Sequence, residues 1–315
     1  MGPFLNNLVG SCVLRDSQLI NIIFPELLAY PCTPLDRVLA RNNNTLRQFL
    51  KSVKAKRLDE IKAGKVGTDL LSVLLHEGGE AYSSVGNDDE IEQAMFTDVV
   101  TVYAAAVSTT QISVNNVMKY IHMDRYLPVK EKLLKEIDSL MDFDTWDAAG
   151  NHINHDKLHE ACSYENIQEN FEYTMCCFRE SLRIEPPANY TSDYVITQDA
   201  VLAKGTPKEL KVEANTEMHF HLGLLHHNPN QWGTRHTEYI PERFDPEFPE
   251  FYLAPNGKKR HPYAFAPFVG GTRMCVGKTF AETVAKKLIS MILKFYTLEL
   301  ADPALKLESI DYDVY

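Results

Sequence analysis

Phe268-Val269-Gly270-Gly271-Thr272-Arg273-Met274-Cys275-Val276-Gly277 is the stretch on which the reading of this chain turns. A glycine-rich loop delivers one cysteine to the start of an apolar helical pattern. There the helix dipole and free N–H groups favour a thiolate over a thiol. Arg273, two residues earlier, is placed to meet an anion such as a carboxylate. Gly277 leaves room for something flat and large to approach the helix. The bland alternative, a buried free cysteine beside a turn, holds for most lone cysteines. One anionic sulfur, one nearby cation and no second ligand suit a haem better than a zinc ion.

Outward from the loop, a helix is expected from about Val276 to Phe295, with Val276, Phe280, Val284, Leu288 and Ile292 in one i,i+4 stripe. Upstream, residues 226–272 are rich in Pro, Gly, Asn and His and form a long irregular connection, a kind of segment that is usually functional. It contains Pro241-Glu242-Arg243-Phe244. From Tyr190 to Phe220 the pattern is short and β-like, including Tyr194-Val195-Ile196 and Lys211-Val212-Glu213. A single helix from about Glu165 to Arg183 stops before Pro186-Pro187 and carries Glu180-Ser181-Leu182-Arg183. Its Glu and Arg share a face, and Arg243 could close a three-member charge network with them. Such a network, buried, fixes geometry more than it adds stability.

Further upstream a helix runs from about Val129 to Met141, with Pro128 at its entrance. Another begins at Asn87, with Glu90 completing a capping-box-like start. It turns apolar on nearly every side from Met95 to Val107, the signature of a buried helix. In its middle lies Ala105-Ala106-Val107-Ser108-Thr109-Thr110. A mid-helix threonine can bond back to a carbonyl and leave a hydroxyl and a local bulge where a small ligand could sit. Residues 1–85 read as helices and loops, with a basic amphipathic stretch from Leu46 to about Ile61.

The whole chain has 315 residues, 44% hydrophobic and 24% charged, which excludes a disordered chain. No apolar run approaches the roughly 18 residues of a membrane span. Lys+Arg 32 against Asp+Glu 43 leaves a net charge of -11, which argues against nucleic acid as a partner. Six cysteines without a Cys-x-x-Cys pair exclude zinc-ribbon and thioredoxin-like motifs and point to a reducing compartment.

The order of these motifs, a Thr pair, Glu-x-x-Arg, Pro-Glu-Arg-Phe and then Phe-x-x-Gly-x-Arg-x-Cys-x-Gly, resembles the cytochrome P-450 superfamily of haem-thiolate monooxygenases. The resemblance implies a mainly α fold with a small β portion and haem b as cofactor. By region it implies a helical cap at 1–85, the distal haem helix at 86–123, helices plus the small β portion at 124–255, and the cysteine loop with the proximal helix at 256–315. Cys275 would be the axial iron ligand and Arg273 a haem propionate contact. Phe268, Gly271 and Gly277 would form the proximal cradle, and Glu180, Arg183 and Arg243 the charge network beside it.

Thr109 would lie over the distal face and, with Ser108, help deliver protons to dioxygen. Tyr190 stands where the family often has a propionate-binding arginine, Ser108 where it has an acid, and Ala106 where it has glycine. The implied partners are a small apolar organic substrate, dioxygen, and a flavoprotein reductase or iron–sulfur protein as electron donor. Family members carry roughly 150 or more residues ahead of the region where this chain starts. The chain is therefore expected to be N-terminally incomplete, with the endoplasmic reticulum membrane, cytoplasmic face, as the location if the full-length form carries an anchor.

Three rival readings stand beside this one. His155-Asp156-Lys157-Leu158-His159 puts two histidines on one helix face, as in a zinc hydrolase, but with Asp for the usual Glu and no evident third ligand. His219, His221, His226 and His227 read as a polar connecting segment, with metal binding as the lesser alternative. The third is a non-catalytic haem-thiolate protein, or one that rearranges peroxides without an electron donor.

Overall fold

The computed structural model describes residues 34–65, 67–69, 71–75, 87–143, 153–191 and 194–299. Cys12, Cys32 and the last residues of the 256–315 region lie outside these. The chain divides into two compact units, residues 1–107 and 108–315.

In the first unit, α1 (Pro34–Lys62) runs well beyond the basic amphipathic stretch expected from Leu46. Leu46 is its buried residue, packed against Leu50, Phe96, Val100 and Tyr103. The partner face belongs to α2 (Asp88–Ile121). The start of α2 is a reciprocal cap: the Asn87 side-chain oxygen accepts from the N–H of Asp89 at 3.1 Å and Glu90 at 3.2 Å. The Glu90 carboxylate in turn accepts from the Asn87 N–H at 3.1 Å.

The apolar middle of α2 departs from the expectation of burial. Val102 is 43% exposed and Ala105 is also exposed. Burial depends on a neighbour as well as on the helix, and no described element covers that face. Besides Met95 near its start, the buried residues of α2 fall in its C-terminal third, where Val117, Tyr120 and Ile121 enter the main core of the second unit.

That unit is helical. A 3-10 turn (Asp124–Tyr126) leads into α3 (Leu127–Leu140), with Pro128 in its first turn where a missing N–H costs nothing. Leu133 and Ile137 are its fully buried residues. The helix expected from Glu165 to Arg183 is instead two, α5 (Tyr164–Glu169) and α6 (Glu172–Ile184), following α4 (His155–Ala161). The break is at Phe171, which adopts a left-handed φ of 60° and buries its ring. Having no side-chain cap of its own, α6 borrows one. The Glu136 carboxylate on α3 accepts from the N–H of Tyr173 at 2.7 Å and of Thr174 at 2.8 Å. A negative charge on the first turn of a helix also answers its dipole.

The β portion is two short antiparallel pairs: β1 (Tyr194–Val195) with β4 (Glu217–Met218), and β2 (Ala200–Leu202) with β3 (Leu210–Val212). The long connection then passes through α7 (Leu222–His226), α8 (Pro229–Trp232), a 3-10 turn at Pro241–Phe244, α9 (Pro249–Tyr252) and further 3-10 turns at Pro262–Ala264 and Gly271–Arg273. It ends in α10 (Lys278–Phe295). Tyr239 pins this connection onto the helices. It stacks on Tyr120 at 4.6 Å between centroids, and its hydroxyl donates to the Cys177 carbonyl of α6 at 2.7 Å.

α10 packs by a different face from the stripe read in its sequence. Ala285, Lys286, Ile289 and Ser290 are buried, whereas Val276 is 96%, Phe280 60% and Leu288 39% exposed. Lys286 is drawn inward because its ammonium donates to the Ile167 and Asn170 carbonyls, at 2.7 and 3.0 Å, around the end of α5. A C-terminal set of free carbonyls is a natural seat for a cation.

Candidate functional site

Glu180 and Arg183 are both fully buried on α6. Their spacing lets the carboxylate meet the guanidinium side-on, with Arg183 Nε to Glu180 Oε2 at 2.8 Å and Nη2 to Oε1 at 2.7 Å. The remaining Arg183 donors reach three main-chain carbonyls: His226 at 3.1 Å, His236 at 2.6 Å and Glu238 at 3.0 Å. All five N–H groups of a guanidinium are thereby satisfied. Glu180 Oε1 also accepts from the Ile240 N–H at 2.9 Å and lies 3.3 Å from Arg243 Nε. Arg243 donates to the carbonyls of Trp232 at 2.7 Å and Arg235 at 2.5 Å. The structure thus brings Glu180, Arg183 and Arg243 together, and uses them to hold the connection between α7 and the Pro241 turn.

A third cation in the same cluster, Arg260, went unread in the sequence. Its Nε donates to Gln231 O at 2.9 Å, and its other nitrogens donate to the carbonyls of Arg243, Phe251, Tyr252 and Leu253. The guanidinium carbons of Arg183 and Arg260 lie 5.0 and 4.2 Å from the Trp232 ring centroid. Burial pulls Arg243 and Arg260 down to about 10, with Glu180 opposing the shift, and both stay cationic at neutral pH. No local motif marks Arg260. Its partners are carbonyls, which carry no sequence signature.

The histidine segment differs from its reading as a polar connection. His219 is exposed, but His226 and His227 are 0% and 2% exposed. Burial, reinforced by the Arg183 charge, pushes His226 down to about 3 and His227 down to about 4, so both are neutral rings. The His226 ring accepts the Ala266 N–H at 3.0 Å, and His227 Nε2 meets the Ile184 carbonyl at 3.0 Å. Two adjacent histidines at the end of a short helix can be filled in by neighbours that the sequence does not show.

Nine residues beyond Arg260 the cysteine loop begins its turn. Val269 has a left-handed φ of 60°, costly for a β-branched residue, and Gly271 one of 68°. A Cβ at Gly270 would stand 2.8 Å from the ring of Tyr263, itself 56% exposed, so any larger residue there would push that ring aside. Cys275 N–H donates back to Phe268 O at 2.9 Å and closes the loop. Cys275 sits two residues before Gly277, which caps α10.

Cys275 is exposed, as are the apolar residues nearest it in the chain, Met274 at 52%, Val276 at 96% and Phe280 at 60%, interleaved with exposed Thr272, Arg273, Lys278 and Thr279. A Cβ at Gly277 would lie 3.8 Å from Cys275 Sγ, an ordinary van der Waals contact, so the glycine leaves one methyl's width open beside the sulfur. Arg273 is exposed and makes no ion pair among the described residues. A single soft donor on an open apolar surface, with a glycine beside it and an uncommitted cation two residues away, fits a flat apolar metal complex with acidic edges.

The remaining candidates lie elsewhere. Ser108 is exposed and Thr109 half-buried on α2, which runs unbroken rather than bulged. Further along the same stretch the Ser113 hydroxyl donates to Thr109 O at 2.8 Å. Tyr190 is 59% exposed, with its ring 4.3 Å from that of His221. His155 and His159 are exposed on α4, and among the described residues no third ligand gathers with them.

Fold and site together define a mainly helical protein built around a cysteine loop beside a buried Glu-x-x-Arg network. A family model described as Cytochrome P450 matches residues 6–310, and the chain belongs to that family, whose members bind haem b. It is similar to Cytochrome P450 4F6 of Rattus norvegicus, 27% identical over 84% of this chain and 42% of that protein. It is also similar to Cytochrome P450 4A6 of Oryctolagus cuniculus, 29% identical over 85% of this chain and 43% of that protein. A third relative, Thromboxane-A synthase of Mus musculus, is 30% identical over 54% of this chain and 26% of its own length. The chain spans less than half the length of these curated relatives.

Proposed function

We propose that this chain is the haem-bearing part of a monooxygenase that acts on a small apolar organic substrate, with Cys275 as the iron's thiolate ligand. The observation that carries the reading is the open cysteine: Cys275 exposed within an apolar rim, with Gly277 keeping a Cβ out of the space beside the sulfur. When bound, haem b supplies the chemistry of dioxygen cleavage. One oxygen atom enters the substrate and the other leaves as water, using two protons and two electrons from a flavoprotein or iron–sulfur donor.

The chain's own residues do the rest. Arg273 offers its exposed guanidinium to a propionate, and Phe268, Gly271 and Gly277 shape the face that the group rests on. Tyr190 offers a hydroxyl, a hydrogen bond without charge, to the other acidic edge. Thr109, with Ser108, holds protons on the α2 side. Glu180, Arg183 and Arg243 fix the connection that leads to the loop. Ser108 in place of an acid also suits a peroxide-rearranging enzyme, which needs no proton relay. No helix among the described residues is long and apolar enough to cross a membrane. A place on the cytoplasmic face of the endoplasmic reticulum would rest on other residues.

The test is the absorption spectrum of the haem-loaded chain after reduction and carbon monoxide. A strongly red-shifted Soret band is expected, and Cys275→Ala should abolish it. A variant that keeps the band would show that the ligand is another residue. Turnover with peroxide but not with dioxygen and a reductase would replace the monooxygenase reading by the rearranging one.

A further inference from the structure

The cysteine loop carries strain and little cover, so something must hold it in place. Val269 at φ 60° persists only if the residues on each side are fixed. On the downstream side the tie is Cys275 N–H to Phe268 O, and Val269 N–H itself reaches back to Ala266 O at 2.9 Å. Both lead to Ala266, whose own N–H is buried. A buried N–H without an acceptor costs roughly 1–3 kcal/mol. Its acceptor is the ring of His226, at 3.0 Å.

That ring is anchored on its other sides. The His226 carbonyl accepts from Arg183 Nη1 at 3.1 Å. Because Nε2 accepts, the ring proton is on Nδ1. Nδ1 is buried and makes no full hydrogen bond, with the main chain of Leu182 and Arg183 close to the ring. The ring also lies 5.4 Å, centroid to centroid, from that of Phe265, the residue before Ala266. A continuous path therefore runs from the Glu180–Arg183 pair through His226 to Ala266, Phe268 and Cys275.

We infer that His226 is a positioning residue, the tie by which the buried charge network of α6 sets the place of the Cys275 sulfur. The inference rests on the reading of Cys275 as the iron ligand. It goes beyond that reading because it assigns the sulfur's position to a histidine on a different segment, which contacts neither haem nor substrate. His226 is suited to this by being held neutral at physiological pH, so that Nε2 is free to accept. An asparagine or serine is too short to reach the same N–H from α7.

The experiment compares His226→Leu, of similar bulk without an acceptor, with His226→Gln, whose carbonyl can occupy the Nε2 position. Amide hydrogen exchange on the full chain without haem reads the tie directly. In His226→Leu the Ala266 and Cys275 amides should exchange about tenfold faster, while the α3 amides of Leu133 and Ile137 keep their protection. His226→Gln should restore most of the Ala266 protection.

In the haem-loaded chain, His226→Leu should move intensity from the red-shifted carbon monoxide band to the unshifted one at equal haem content, and His226→Gln should move it back. Unchanged Ala266 exchange in His226→Leu, or an unchanged band, would overturn the inference. If His226→Leu does not fold, His226→Gln decides: wild-type protection at Ala266 upholds the tie, and loss of protection with α3 intact refutes it. Should the unaltered chain bind no haem, the ligand reading fails, while the haem-free exchange result still judges His226 separately.

Discussion

The charge cluster on α6 and the cysteine loop lie close in the chain's logic and are opposite in construction. Glu180 and Arg183 are sealed from water, and the donors of Arg183 are all used within the protein. The loop presents Cys275 bare, in a rim where Val276 is 96% exposed. The first region is completed by this chain's own atoms, and the second stands at the surface. The contrast teaches where a substitution will be felt. Changes in the cluster should act on folding, and changes in the loop on what the folded chain can hold.

The largest effect is expected from Arg183→Ala. It leaves the Glu180 carboxylate buried without its side-on partner and three main-chain carbonyls without a donor. Breaking a buried pair in this way costs about 3–5 kcal/mol. Denaturant titration of the haem-free chain measures it. A loss below about 1 kcal/mol would mean that the cluster is far wetter than its burial implies, and would break the comparison at its stronger end.

Lowering the pH attacks the same cluster without a mutation. An unfolded histidine takes up its proton near pH 6.5. Folded His226 and His227 do so only at about 3 and about 4, because burial and the neighbouring Arg183 charge oppose a second cation. The unfolded state therefore binds more protons as pH falls. The contribution of the two neutral rings is complete above pH 6.5 and is lost progressively below it, until the folded values are reached. Each ring costs about 1.4 kcal/mol per pH unit within that window, so the pair costs about 2–3 kcal/mol per unit. Stability measured between pH 6 and pH 5, above most carboxylate titrations, should fall at nearly this slope. A flat profile there would show that one or both rings reach water.

What could be read from the sequence follows the same division. The Asn87 cap, the Pro128 entrance and the order of the Glu-x-x-Arg, Pro-Glu-Arg-Phe and cysteine motifs are local, and local chemistry is written in adjacent residues. The two β pairs were legible as short β-like patterns for the same reason. The break at Phe171 was not, because an apolar residue carries no turn signal and the cap of α6 comes from Glu136 on another helix. Arg260 and the buried histidines escaped because their partners are carbonyls brought in from other segments. The apolar middle of α2 was read as buried and the stripe on α10 as one helix face, and much of both is exposed. Their exposure shows that hydrophobic pattern reports a need for cover and does not name what supplies it.

The smallest effect on folding, and the sharpest use of the comparison, is Val276→Ser. A side chain 96% exposed makes almost no contact in the haem-free chain. Its truncation should change stability by less than about 0.5 kcal/mol, as at ordinary surface positions. If, as proposed, haem rests on the Cys275 sulfur, the adjacent Val276 side chain is expected to become part of the covered surface. Burying a valine stabilises by about 1.5 kcal/mol or somewhat more, so replacing it by serine should raise the haem dissociation rate by roughly tenfold. The two measurements, denaturation of the haem-free chain and transfer of haem to an acceptor protein, must therefore separate for Val276→Ser. For Arg183→Ala they should move together, because a destabilised cluster harms everything it holds. Equal haem retention in Val276→Ser and the unaltered chain would mean that the group rests elsewhere, and that the open rim around Cys275 is covered by protein instead.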